Sequence, residues 1–184
     1  KTMQQHGLQV MGGFIVGFDS DTPSIFKKQV EFIQESGIVT AMVGMLQAPF
    51  NTQLYKRLKG EGRLLDEMNG DNADGTTNIV PRMDIDELKE GYHQILEDIY
   101  SPRPFYERVR IFLKEYRMPR VQNPLQMHHI YAFLRSMVVL GIKGKERLEY
   151  WRLLFWTLAR DPRKVPLAVT LAIYGYHFRT VSRL

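Results

Sequence analysis

Leu8-Gln9-Val10-Met11-Gly12-Gly13-Phe14-Ile15-Val16-Gly17-Phe18 is the stretch on which the fold turns. It is apolar almost throughout and bounded by polar residues. It also carries Gly12, Gly13 and Gly17, and a glycine inside a helix costs about 1 kcal/mol relative to alanine. An apolar run of this kind predicts a buried strand of a parallel sheet. Directly after it, Asp19-Ser20-Asp21-Thr22-Pro23 offers side-chain oxygens for an N-cap and a proline for the first helical position. Phe26, Val30 and Ile33 then recur at helical spacing until Gly37 ends the pattern.

Val39-Thr40-Ala41-Met42-Val43-Gly44-Met45-Leu46 is a second apolar run. It follows the first by about thirty residues, the span of a βαβ unit. The order strand, helix, strand predicts a right-handed crossover between parallel strands. Two such strands cannot cover their own edges, so the front reads as a portion of an incomplete TIM-type barrel whose other strands precede Lys1. The opening residues, Lys1 to Gln9, contain neither an initiator Met at the first position nor a signal-peptide pattern, and are read as an internal cut.

A short helix is expected over residues 54–65, followed by a polar, glycine-containing loop from Asp66 to Gly75. A calcium loop fits poorly there, because aligning Gly70 or Gly75 with its fixed glycine puts Leu65 or Gly70 in the first ligand position. Asp84 and Glu87 have the spacing of a capping box, with Met83 and Leu88 as its staple. Ile85, Leu88, Tyr92, Ile95 and Ile99 form one helical stripe. Beyond Pro102 every segment reads as helix, with apolar stripes at Phe105, Val109, Phe112 and Tyr116, then Ile130, Leu134 and Met137, then Leu148, Trp151, Phe155 and Leu158. Breaks are expected near Pro119, Gly141 and Pro162. The fold class is thus an α/β front followed by an all-α extension, mostly helical overall, with residues 1–80 as the barrel portion and 81–184 as the helical extension.

Composition removes much chemistry. The chain has 184 residues and no cysteine, so none of its residues can form a disulfide, a thiolate metal site, an iron–sulfur ligand or a cysteine nucleophile. His6, His93, His128, His129 and His177 lack metal-site spacing, and adjacent helical residues such as His128 and His129 diverge too far to chelate one ion. The glycines of the first strand match neither a phosphate loop nor a dinucleotide fingerprint. Glycine inside a strand points instead to close approach of a flat ligand or of another backbone, and both readings stand on physics alone.

Gly13-Phe14-Ile15-Val16-Gly17-Phe18-Asp19-Ser20 resembles the Gly-x-Ile-x-Gly-x-x-Glu motif found late in the partial barrel of radical S-adenosylmethionine (SAM) enzymes, with Ser20 in place of the Glu. Leu46-Gln47-Ala48-Pro49-Phe50-Asn51-Thr52-Gln53-Leu54-Tyr55 is similar to the Pro-Gly-Thr-Pro-Leu-Tyr turn of the same family, departing at Phe50-Asn51. The wider likeness, through Asn78, Pro81, Gly91-Tyr92 and Tyr100-Ser101-Pro102, is to members carrying an upstream cobalamin-binding domain and a helical extension. The resemblance implies that Gly13, Ile15 and Gly17, with Leu46 and Ala48 on the next strand, help hold the SAM adenine. It also implies a four-iron, four-sulfur cluster and cobalamin in the intact protein, which would be a radical SAM oxidoreductase or methyltransferase. The cysteine loop for the cluster is absent from these residues, so the chain alone is expected to be inactive and to bind none of these cofactors. The expected partners are an upstream barrel and cobalamin domain of the same polypeptide.

Charge opens a rival reading. Residues 1–102 carry 9 Lys/Arg against 15 Asp/Glu, and residues 103–184 carry 16 against 5. The basic rear, interleaved with aromatics, suits a non-catalytic helical module that binds a membrane surface or a protein partner. Nucleic acid is disfavoured, because Arg108, Arg110, Lys114 and Arg117 are spread around their helix. Val165 to Phe178 is apolar nearly all round but spans only about 21 Å as a helix, short of a bilayer, so burial is expected. The location expected from all this is cytoplasmic, with membrane association through the basic helices as the further possibility.

Overall fold

The computed structural model describes residues 1–65, 75–118 and 127–181. It is mostly helical, with one small sheet of two parallel strands. The elements run α1 (Thr2–Gln5), β1 (Met11–Val16), α2 (Ser24–Ser36), β2 (Thr40–Met45), α3 (Gln53–Gly60), α4 (Ile85–Tyr100) and α5 (Pro102–Glu115), followed by α6 (Met127–Val138), a π-helical turn (Val139–Lys143), α7 (Arg147–Arg160), a 3-10 turn (Pro162–Lys164) and α8 (Val165–Val181). The chain divides into two compact units that interleave along the sequence: Lys1–Met11, Ile33–Thr40 and Ile99–Leu184 in the first, Gly12–Phe32 and Ala41–Asp98 in the second.

The second unit holds the sheet. β1 is shorter than the apolar run that predicts it, and its residues alternate between exposed and partly covered until Val16 is fully buried. This corrects the expectation of a strand buried along its whole length. One helix covers one face of β1, where Phe14 packs edge-on to Phe32 of α2 at 6.0 Å. β2 is buried at all but Met42. The helix expected over 54–65 ends at Gly60, and Leu64 instead makes an isolated antiparallel bridge with Ile79. Of the polar loop expected from Asp66 to Gly75, with its calcium alternative, all but Gly75 lies outside the described residues.

The turn after β2 departs from Pro-Gly in sequence and meets the same backbone demand. Asn51 adopts φ 65°, the left-handed region in which asparagine is the most tolerated residue after glycine. Thr52 follows as N-cap of α3, its hydroxyl accepting from Tyr55 N at 3.1 Å. At α4, Asp84 Oδ1 accepts from Asp86 N and Glu87 N, the half of the capping box that matters most to the orphan amides. Leu88, Tyr92, Ile95 and Ile99 are buried as the stripe predicts, whereas Ile85 is only partly covered.

The first unit is helical. Phe105, Val109 and Phe112 of α5 are buried, again as predicted. The stripes read for α6 and α7 are turned the wrong way: Ile130 and Leu134 are 45% and 55% exposed, and Leu148, Phe155 and Leu158 are 69%, 61% and 52% exposed. Ser136 on α6 and Tyr150, Leu153, Leu154 and Thr157 on α7 are buried instead. The buried face of α7 is chosen by hydrogen bonding as well as by apolarity, since the Tyr150 hydroxyl and the Ser136 hydroxyl lie 2.8 Å apart and Thr157 Oγ1 donates to Leu153 O. The break near Gly141 is the π turn, where a methyl group would sit 3.0 Å from Trp151 Nε1, and the break near Pro162 is the 3-10 turn. The break at Pro119 lies outside the described residues.

Among the described residues of this unit two cations are buried. Arg179 of α8 donates to Glu146 Oε1 at 2.6 Å. Arg108 of α5 is fully buried and donates to Gln34 Oε1 at 2.9 Å and Val39 O at 3.2 Å, with the Phe105 ring 5.3 Å from its guanidinium carbon. Burial lowers the Arg108 pKa to about 10, a value at which it is still a cation at neutral pH.

Candidate functional site

The five residues named for an adenine-facing surface fall into two sets. Gly13 and Ile15 share one face of β1, opposite in alternation to the Phe14 that packs on α2. Ile15 is 47% exposed, and a methyl group added at Gly13 would meet nothing within 4 Å. Within its unit this face of the strand is open.

Gly17, Leu46 and Ala48 form the second set, at the carboxyl ends of the two strands. Leu46 N donates to Val16 O at 2.8 Å, which carries the parallel pairing past the end of β2. Gly17 turns the chain with φ +99°, and a Cβ there would lie 3.0 Å from Leu88 Cδ2 and 3.8 Å from Leu46 Cβ. Only glycine satisfies both the torsion and the approach. Leu46 and Ala48 are buried with Leu58 and Ile79, and Leu54, Tyr55 and Leu64 pack against that cluster.

The polar groups of this strand end are already engaged. Asn78 is buried, its Oδ1 accepting from Ala48 N at 2.8 Å and its Nδ2 donating to Ala48 O at 3.1 Å. The side-chain amide thereby does for Ala48 what a neighbouring strand would do. Thr77 Oγ1 donates to Leu46 O at 2.6 Å. Leu46 and Ala48 can thus contribute shape, and their bonded backbone groups hold the strand end in place.

Ser20 stands where the motif has Glu, and the carboxylate beside it takes over the turn: Asp21 Oδ2 accepts from Gly17 N at 2.9 Å and from Phe18 N at 3.0 Å. A neighbouring cluster escaped the sequence reading altogether. Asp19 meets Arg63 at 2.7 Å and Arg57 at 2.9 Å, with Arg82 at 3.9 Å. The Arg63 hydrogen bond holds the Asp19 carboxyl below its ordinary pKa, with Arg57 adding to it against some loss of hydration. The signal was present only as scattered arginines at 57, 63 and 82, which no local spacing rule connects to Asp19.

Among the described residues no group of three or more His, Asp or Glu side chains could hold a metal ion. His6 Nδ1 lies 2.8 Å from Thr2 O in a local turn, and the side chains of His128 and His129 lie outside the described residues. No helix among the described residues is long and apolar enough to cross a membrane.

These features fall within a defined family. The chain belongs to the family described as a domain of unknown function (DUF4070), whose model matches residues 52–184. It is 32% identical over 178 residues to an uncharacterized methyltransferase of Synechocystis, covering 94% of this chain and 33% of that protein. It is 26% identical over 168 residues to the hopanoid C-2 methylase of Rhodopseudomonas palustris, covering 87% of this chain and 31% of that protein. The chain therefore spans about a third of the length of these two relatives, both of which are named for methyl transfer. No solved structure matches it.

Proposed function

We propose that this chain is the rear portion of a cobalamin-binding radical SAM methyltransferase. It would supply late strands of the partial barrel, part of the SAM adenine pocket and a helical extension, and it would be inactive alone. The observation that carries the reading is the open face of β1. Gly13 and Ile15 turn away from the helix that covers Phe14, toward the side on which a barrel places its interior. The flat, uncluttered surface at Gly13, with nothing within 4 Å of a built methyl group, fits an adenine ring.

The chain holds no cysteine, so its residues do not fit a cluster-binding role. The cluster and the cobalamin would be held by the upstream barrel and cobalamin domain of the same polypeptide. When bound, SAM on the cluster supplies radical chemistry and cobalamin supplies a methyl group. This chain's own part is to bind and orient: Gly13 and Ile15 by apolar contact, Gly17 by turning the chain at the strand end, and Leu46 and Ala48 by fixing the adjacent strand end. The relatives' names favour methyl transfer over other radical reactions.

The test uses the intact polypeptide with its cluster and cobalamin reconstituted, a chemical reductant and SAM, and measures 5′-deoxyadenosine from reductive cleavage of SAM and S-adenosylhomocysteine from methyl transfer to the reduced cobalamin. Both products are expected. Gly13→Val and Ile15→Glu, at positions open enough to accept them, should raise the KM for SAM by about tenfold, the loss of roughly 1.4 kcal/mol of adenine contact, with the fold unchanged by circular dichroism. An intact protein that binds no cluster and leaves SAM uncleaved would overturn the proposal.

A further inference from the structure

The outward face of α7 has no place in the proposed reaction, yet it is organised. Leu148, Phe155 and Leu158 lie at spacings of seven and three residues, on one side of the helix, and are 69%, 61% and 52% exposed. The π turn is tied to the helix, Trp151 Nε1 donating to Gly141 O at 2.9 Å, and its Ile142 is 62% exposed. Trp151 stacks on Phe155 with ring centroids 5.7 Å apart, so the outward ring is braced.

The charge on this corner is of one sign. Lys143, Lys145 and Arg147 are all exposed, and Arg152 is exposed in its pair with Glu149. The two carboxylates in the same stretch are withdrawn: Glu146 is buried against Arg179, and Glu149 is engaged by both Arg110 and Arg152. What faces outward is a row of apolar side chains with a cationic border.

We propose that this face of α7 and the π turn docks the protein on an anionic lipid bilayer. Protruding leucine and phenylalanine side chains insert at the boundary of headgroups and acyl chains, and the lysines and arginines meet lipid phosphate. Nucleic acid would use the cations and leave the apolar row in water. A bilayer takes both. The helix lies on the membrane, in keeping with the lack of any helix among the described residues able to cross one.

The experiment is co-sedimentation of the intact protein, without SAM or reductant, with vesicles of phosphatidylcholine alone or with added phosphatidylglycerol. Binding is expected only to the anionic vesicles and should weaken as salt is raised. Lys143→Glu with Lys145→Glu should lower the binding constant about tenfold or more. Leu148→Ser with Phe155→Ser should abolish binding with only a small drop in melting temperature from the lost Trp151 stacking, because both side chains are mostly exposed. Absence of binding to anionic vesicles would overturn the proposal. So would binding that neither double variant alters, or a serine variant that changes only self-association in sedimentation, since that would make the face a contact between copies. The readout needs no catalysis, so it succeeds or fails independently of the methyltransferase reading.

Discussion

Asp19 and Gly17 show how much of the strand end rests on single residues. The Asp19 carboxyl is held below its ordinary pKa chiefly by the Arg63 hydrogen bond. A depressed folded-state pKa contributes stability that is present above the unfolded value and is lost as pH falls through the folded one. Urea midpoints of the intact protein should therefore drop below about pH 4, and Asp19→Asn should remove that part of the acid sensitivity at a cost of about 1 kcal/mol at neutral pH. Gly17→Ala should be worse, by about 1–3 kcal/mol, because φ +99° is closed to alanine. Denaturant unfolding of the two variants side by side checks the ranking. The motif alone made Gly17 legible, whereas Asp19 was illegible because its partners Arg57, Arg63 and Arg82 lie 38 to 63 residues away.

Among the elements, packing decided what periodicity could not. The apolar stripes of α2, α4 and α5 are legible because each has its large apolar residues on one side, with Arg108 as the one cation that α5 turns inward among the described residues. α6 and α7 carry apolar residues on two sides, so period alone could not choose the buried one; the Ser136 and Tyr150 hydroxyl pair lies on the inner side. Glycines within helices gave a second kind of information. A Cβ at Gly91 would collide with the Phe26 ring, and one at Gly175 with the Phe105 ring. Gly91 stood out in the family likeness, but the reason for it, a ring pressed on the α4 backbone, is a tertiary fact. Gly91→Ala and Gly175→Ala are each expected to cost about 1–3 kcal/mol through overpacking, against a gain from helix propensity of about 1 kcal/mol if the sites were open. The sign of the change in melting temperature separates the two cases.

At the scale of the whole molecule, the front is legible as strand, helix, strand and the rear as helices. α4 reads as the start of the helical extension, and all but its last two residues belong to the unit that contains β1 and β2. Its Leu88 lies over Gly17 and its Gly91 receives Phe26, contacts that no one-dimensional pattern announces. A fragment ending at residue 80 therefore leaves those surfaces bare and should be recovered insoluble. A fragment extended to residue 98 keeps them covered and should be markedly more soluble, as fractionation of the two expressed pieces would show.

The interleaving of the two units also imposes an order on synthesis. Everything in Gly12–Phe32 and Ala41–Asp98 has left the ribosome while α7 and α8 are still being made. The sheet-bearing unit can close at that point, whereas Lys1–Met11 and Ile33–Thr40 must wait for the C-terminal helices that they pack with. Residues made well ahead of the rear helices are thus among the last to find their place, with the Gln4 carbonyl meeting the amide of Arg117 only after α5 has emerged.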